Sequence, residues 1–299
     1  MNRTDIPALD AQPTEGPHPT LGARHVAAIV VGIVIGAGIF RTPSLVAGAA
    51  GSEAAFLSAW IAGGLLSIAG ALCYAELASA FPSAGGDYHF LSRAFGRRLG
   101  FLYCWARVSV VQAGSLALLA FLFGDYASEL LPLGSQGPAL YAAAAVIALT
   151  AINWIHVRQG TGSQLWLTIV EVLGLLTLIV AGFLIPPAPP GAAAPRAESS
   201  FRLMMVFVLL TYGGWSEGAY MSAELRGGRR RIATVLVASL GLVTLLYLLI
   251  NFAYVRALGL GGIAGTDVVA ADLAERAAGS VGPVLISLLL AISALTSAN

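Results

Sequence analysis

Eight apolar stretches dominate the chain: residues 25–49, 54–81, 99–131, 139–155, 163–185, 201–225, 232–255 and 281–299. An α-helix needs about 20 apolar residues to cross a hydrocarbon layer ~30 Å thick. Most of the stretches meet that length, and 139–155 only just does. Barrel strands would be about half as long and would alternate in polarity. The pattern therefore predicts an all-α bundle spanning a membrane, with no domain boundary inside it. Residues 1–24 hold Pro7, Pro13, Pro17 and Pro19 but no apolar core. They read as a disordered tail, not a cleaved signal peptide. Loop 186–200 (PPAPPGAAAPRAESS) reads as an extended connection. Loop 257–280 carries Asp272, Glu275 and Arg276 on a short helix at the interface.

Two of the stretches are interrupted. In VAAIVVGIVIGAGIFRTPSLVAGAAG, Gly36 and Gly38 fall in the middle and Pro43 follows. In MMVFVLLTYGGWSEGAYMSAELRGG, Gly213, Gly214 and Gly218 fall in a comparable place, beside Ser216 and Glu217. Glycine costs about 1 kcal/mol in a helix interior relative to alanine, and proline removes a backbone donor. Irregular backbone at membrane depth is tolerated where it is buried in protein or lines a cavity. The alternative is close helix packing through the GxxxG pairs Gly32/Gly36 and Gly214/Gly218. Their paired occurrence beside polar residues favours a polar site between two repeats. Five spans separate the two breaks, so the copies enter the membrane in opposite directions, as inverted repeats do.

Composition sharpens this picture. Charged residues make up 10% of the 299 positions, against about 25% in soluble domains. All 16 cations are arginine, and the net charge of +1 gives no reason to expect a nucleic-acid partner. With the tail in the cytoplasm, the inside segments hold Arg3, Arg24, Arg93, Arg97, Arg98, Arg158, Arg226, Arg229, Arg230 and Arg231. Outside lie Arg196, Arg202, Arg256 and Arg276, while Arg41 and Arg107 fall within spans. That bias predicts a multi-pass protein of the cell membrane with a cytoplasmic N-terminus. His18, His25, His89 and His156 show no metal-ligand spacing, and no catalytic triad order or zinc motif is present. The expectation is a protein without cofactor or metal and without enzymatic activity. A membrane sensor remains as a third class beside transporter and enzyme.

Three stretches carry a likeness to a known family: GIVIGAGIFRTPS at 32–44, YAELASAFPSAGGDYHFLSRAFGRRLGFLYCW at 74–105, and TYGGWSEGAYMSAELRGGRRRI at 211–232. They resemble the amino acid–polyamine–organocation permease superfamily, in particular its L-type amino acid transporter branch, over residues 25–299. The resemblance implies a twelve-helix transporter whose first ten helices form two inverted five-helix repeats. Residues 25–185 would then be the first repeat and 201–299 part of the second, with 281–299 similar to the first part of helix eight. On this expectation the fold is incomplete, with about seven complete helices and part of an eighth. Whether such a chain is a fragment, a truncated product or half of a split transporter stays open, and a non-transporting remnant or sensor is the alternative.

The resemblance also implies a site. Gly36, Ala37 and Gly38 would cradle a substrate carboxylate. Carbonyls around Val34, Ile35, Leu210 and Gly213 would accept from its ammonium. Trp215, Ser216 and Glu217 would face its side chain. The implied activity is exchange or proton-linked uptake of an amino acid or small amine, with proton or sodium as the coupling ion left open. Departures from the family pattern matter. Ala37 stands where serine is common, and Leu210 where many relatives place an aromatic lid, with Tyr212 as a displaced gate. Glu217 raises a cationic amino acid or polyamine as substrate, and Arg41 is a candidate contact for the substrate or for Glu217.

Glu171 stands where many relatives carry a lysine. An intramembrane glutamate there is a candidate coupling group, taking a proton or binding a cation with carbonyls of the first helix. The alternative is a glutamate that snorkels or pairs with an arginine such as Arg107. Glu76, Asp87, Arg93 and Glu224 form a candidate gate of ion pairs beside Arg97, Arg98 and the 226–231 arginines, with a solvated face as the alternative. Loop 132–138 (PLGSQGP) lacks cysteine, so no disulfide-linked glycoprotein partner is expected.

Overall fold

The computed structural model describes residues 22–81, 83, 85–155, 160–189, 199–220 and 229–298. The expected tail (apart from residues 22–24), Glu224 and Arg226 lie outside the described residues. Regular structure within them is helical throughout. The first apolar stretch forms α1 (Ala23–Val34) and α2 (Gly38–Gly48), bent by 44° at the break. The second forms α3 (Glu53–Ala80), capped by the Ser52 side chain, which accepts from the Ala55 N–H at 3.2 Å. A loop helix, α4 (Gly86–Phe95), leads into α5 (Arg97–Ala106), a π-helical turn (Arg107–Gln112) and α6 (Ala113–Leu130).

The remaining elements are α7 (Gly137–Ile155), α8 (Gly160–Leu184), α9 (Phe201–Thr211), α10 (Trp215–Tyr220), α11 (Arg229–Ala264), α12 (Val269–Ala278) and α13 (Val281–Ala298). Among the described residues, five helices are long and apolar enough to cross a membrane, and the bent α1–α2 pair makes a sixth. Gly137–Ile152 and Phe201–Thr211 are shorter apolar helices. In order, these account for the eight apolar stretches. α11 runs nine residues past the expected end at 255, and a left-handed Gly259 (φ 67°) kinks it there. α12 is the short helix expected in loop 257–280.

Packing centres on α11, which lies against α1, α2, α3 and α8. Gly63 and Gly64 give α3 a flat face. A Cβ at Gly63 would stand 2.3 Å from Val208, and one at Gly64 would stand 2.4 Å from Thr244. Lipid supplies no hydrophobic drive between helices, so such close backbone approach supplies the van der Waals contact instead. Trp60, Tyr212 and Tyr247 fill the space beside this face, all fully buried. Arg256 of α11 donates to the Gly182 and Ile185 carbonyls at 3.1 and 2.8 Å, satisfying the end of α8. By contrast α5 and α6 expose Phe101, Leu102, Trp105 and Leu118, the surface expected of helices against lipid tails.

Candidate functional site

The break between α1 and α2 is a tight reversal. Ile35 donates its N–H to Val31 O at 2.8 Å, and Gly36 donates back to Val34 O at 2.8 Å. With Ile35 at φ −77°, ψ 69°, this is an inverse γ-turn. The chain restarts as α2 with no side-chain cap, because Ala37 at its N-cap has none to offer. The Phe40 N–H turns back to Ala37 O at 3.3 Å, which leaves the Gly38 and Ile39 N–H groups for other acceptors, the arrangement that suits an anion.

The second break follows the same logic. α9 ends when Tyr212 donates to Val208 O at 2.9 Å and Gly213 to Leu210 O at 3.2 Å. Gly214 then takes a left-handed φ of +93°. A Cβ on it would lie 2.6 Å from Ile33 Cγ2, so only glycine fits both the backbone and the gap. α10 starts at Trp215, with Glu217 donating its N–H to Gly214 O at 3.1 Å.

The two breaks meet. Gly214 abuts Ile33, and Gly38 faces Thr211 across the gap, where a Cβ would reach the Thr211 methyl at 3.4 Å. Between them sits Tyr247 of α11. Its hydroxyl donates to Val34 O at 2.7 Å and lies 3.4 Å from Thr211 O. The ring packs on Tyr212 and Trp60, at centroid distances of 5.0 and 5.9 Å. Tyr247 is the residue that sequence reasoning missed. Its only signal was a tyrosine followed four positions later by Asn251 in an apolar run, and Asn251 donates to Tyr247 O at 2.8 Å.

The expected site residues fall into three groups. Val34, Ile35, Gly36, Ala37, Gly38, Gly213, Trp215, Ser216 and Glu217 all lie at the two breaks. Val34 O already accepts from Gly36 and Tyr247, and Leu210 O accepts from Gly213. The Leu210 side chain points away and is 75% exposed, so it forms no lid. Tyr212 is fully buried and donates to Trp60 O at 3.3 Å, which makes it part of the core behind the break. Trp215 packs edge-on against Tyr74 at 5.3 Å and rests on Gly70 of α3.

The charges arrange themselves differently from the expected gate. Asp87 is buried and pairs with Arg107 at 3.2 Å. The same guanidinium reaches Glu217 at 3.0 Å. Arg107 thus serves Glu217 and Asp87, which replaces both the expected Arg41 contact and the Arg107–Glu171 alternative. Arg41 is exposed. Glu76 is exposed, and Arg93 lies over the Phe81 ring at 4.4 Å.

Glu171 of α8 is fully buried. Ser293 of α13 is its polar neighbour, yet neither carboxylate oxygen completes a well-formed hydrogen bond within the described residues. Ser297, one helical turn beyond Ser293, stands against Gly36. The Glu171 pocket and the first break therefore share α13 as a wall. Among the described residues, no group of three or more His, Cys, Asp or Glu side chains converges as a metal site.

A family model described as amino acid permease matches residues 21–299. The human large neutral amino acids transporter small subunit 2 is 32% identical over 273 residues, covering 87% of this chain and 51% of that protein. The mouse b(0,+)-type amino acid transporter 1 is 30% identical over 262 residues, covering 83% and 53%. Its human counterpart is 27% identical over 270 residues. The chain belongs to the amino acid permease family and is a multi-pass membrane protein. It spans about half the length of the curated relatives it matches.

Proposed function

We propose that this chain binds an amino acid at the paired helix breaks and takes part in carrying it across the membrane by alternating access. The observation that carries the reading is the meeting of the two breaks around Tyr247, beside an uncapped α2 N-terminus. A free amino acid has a carboxylate and an ammonium on one carbon. The N–H groups at the start of α2 suit the first, and backbone carbonyls at the breaks suit the second. The side chain then lies toward Trp215 and α10. Most of this recognition is backbone chemistry, which fits transport of an unaltered solute and needs no reactive side chain. The names of the relatives, transporters of large neutral and of b(0,+)-type amino acids, support the same reading.

In this reading residues 25–185 and 201–299 belong to two inverted repeats, and the N-terminus lies in the cytoplasm. Glu171 is the coupling group. A buried carboxylate facing Ser293 behind the first break is placed to exchange a proton, or to hold a monovalent cation, as the break opens and closes. Equilibrium binding of radiolabelled leucine, arginine and agmatine to the purified chain tests the proposal. Saturable binding of leucine or arginine supports it, whereas binding of agmatine alone, which has no carboxylate, or of none contradicts it.

A further inference from the structure

Arg107 opens the π-helical turn between α5 and α6, at membrane depth, where a lone guanidinium is costly. Its NH1 donates to Asp87 Oδ2 at 3.2 Å and to the Tyr103 hydroxyl at 3.0 Å. Tyr103, four residues earlier on the same helix face, donates to the same Asp87 oxygen. The remaining edge, NH2, donates to Glu217 Oε1 at 3.0 Å. One guanidinium therefore joins two carboxylates carried by different elements, α4 and α10.

The two contacts are not equivalent. The Asp87 side chain is 7% exposed and that of Glu217 38%. α4 and α5 pack directly on one another, so Asp87, Tyr103 and Arg107 form one unit. α10 instead follows the Gly213–Gly214 break and packs on α1, α3 and α11, so the Arg107–Glu217 pair crosses between two packing units. Breaking a buried pair is costly because it strands a charge. Release of Glu217 leaves Arg107 still paired with the buried Asp87, and the released carboxylate is the more exposed of the two. We propose that the Arg107–Glu217 contact is a releasable latch that holds α10 closed over the second break, with Asp87 and Tyr103 as its fixed anchor. The inference rests on the two breaks being a solute passage, yet its test uses no solute.

The test places a reporter at Thr211, the buried last residue of α9. In a Thr211→Cys background with Cys73 and Cys104 changed to alanine, labelling by a charged, membrane-impermeant thiol reagent is slow. Adding Glu217→Gln raises the rate about tenfold, the population shift expected when one charge-assisted hydrogen bond is lost. Arg107→Gln does the same, while Arg107→Lys restores slow labelling. Asp87→Asn keeps a carbonyl acceptor for the guanidinium and the Arg107–Tyr103 hydrogen bond, so Arg107 stays in place on Glu217 and labelling stays slow. All rates are taken on monodisperse protein of parental helix content. An unchanged rate in Glu217→Gln overturns the latch. So does equal acceleration by Asp87→Asn, which would mark general loosening. A failed leucine-binding assay beside the predicted labelling pattern would sink the transport reading and leave the latch standing.

Discussion

The Tyr247 hydroxyl donates to the Val34 carbonyl at 2.7 Å, a contact that ties α11 to the last residue of α1 across 213 positions of sequence. The same oxygen lies 3.4 Å from the Thr211 carbonyl at the end of α9. One phenol thus bridges the ends of the two broken helices, beside the gap proposed for a solute's ammonium.

Tyr247→Phe keeps the ring packed on Trp60 and Tyr212 and removes only the hydroxyl. The lost hydrogen bond is worth about 1 kcal/mol. Leucine affinity should fall roughly five- to tenfold, with the melting temperature in detergent nearly unchanged. Equal affinity in the two proteins would show that the hydroxyl does not set the gap.

Gly214→Ala places a methyl at φ +93° and drives it toward Ile33 Cγ2. Left-handed backbone and overpacking together should destabilise the protein by about 2–4 kcal/mol. Thermal unfolding followed by circular dichroism checks this. The variant should also lose leucine binding at temperatures where it remains folded, because α10 is pushed away from α1.

Glu171→Gln retains size beside Ser293, but it cannot gain or lose a proton. Leucine uptake into proteoliposomes should lose its dependence on pH while the fold persists. Unchanged pH dependence would remove Glu171 from coupling and leave the group a buried structural one.

Gly63→Leu should disrupt the α3–α9 contact, since even a Cβ there meets Val208 Cγ1 at 2.3 Å. Overpacking of this kind costs about 1–3 kcal/mol. The matching change at Gly48, where a Cβ meets nothing within 4 Å, should cost far less. Melting temperatures of the pair compare the two directly.

Much of the architecture was legible because membrane helices must satisfy their own backbone. Runs of about 20 apolar residues therefore report spans directly, and glycines at 36, 38, 213 and 214 marked both breaks. Local signals also placed α12 and the apolar stretch of α13. What they could not show was pairing over distance. Arg107 and Glu217 lie 110 positions apart, and nothing near either names the other. Glu217 alone looked like an acceptor for a cationic solute. The arginine that meets it sits on a helix whose other side is exposed and apolar. Tyr247 escaped notice for a related reason: a tyrosine inside VTLLYLLINF resembles packing, and its role follows from two carbonyls supplied by other helices.

The most direct measurement is competition for leucine binding on the purified 299-residue chain. Leucinol lacks the carboxylate, and 4-methylpentanoate lacks the ammonium, while both keep the side chain. Leucine binding should be saturable, and excess leucine should displace it while neither analogue does, because each leaves one half of the paired breaks unfilled. Absence of saturable binding, or displacement by either analogue as effective as by leucine, would contradict the proposed site.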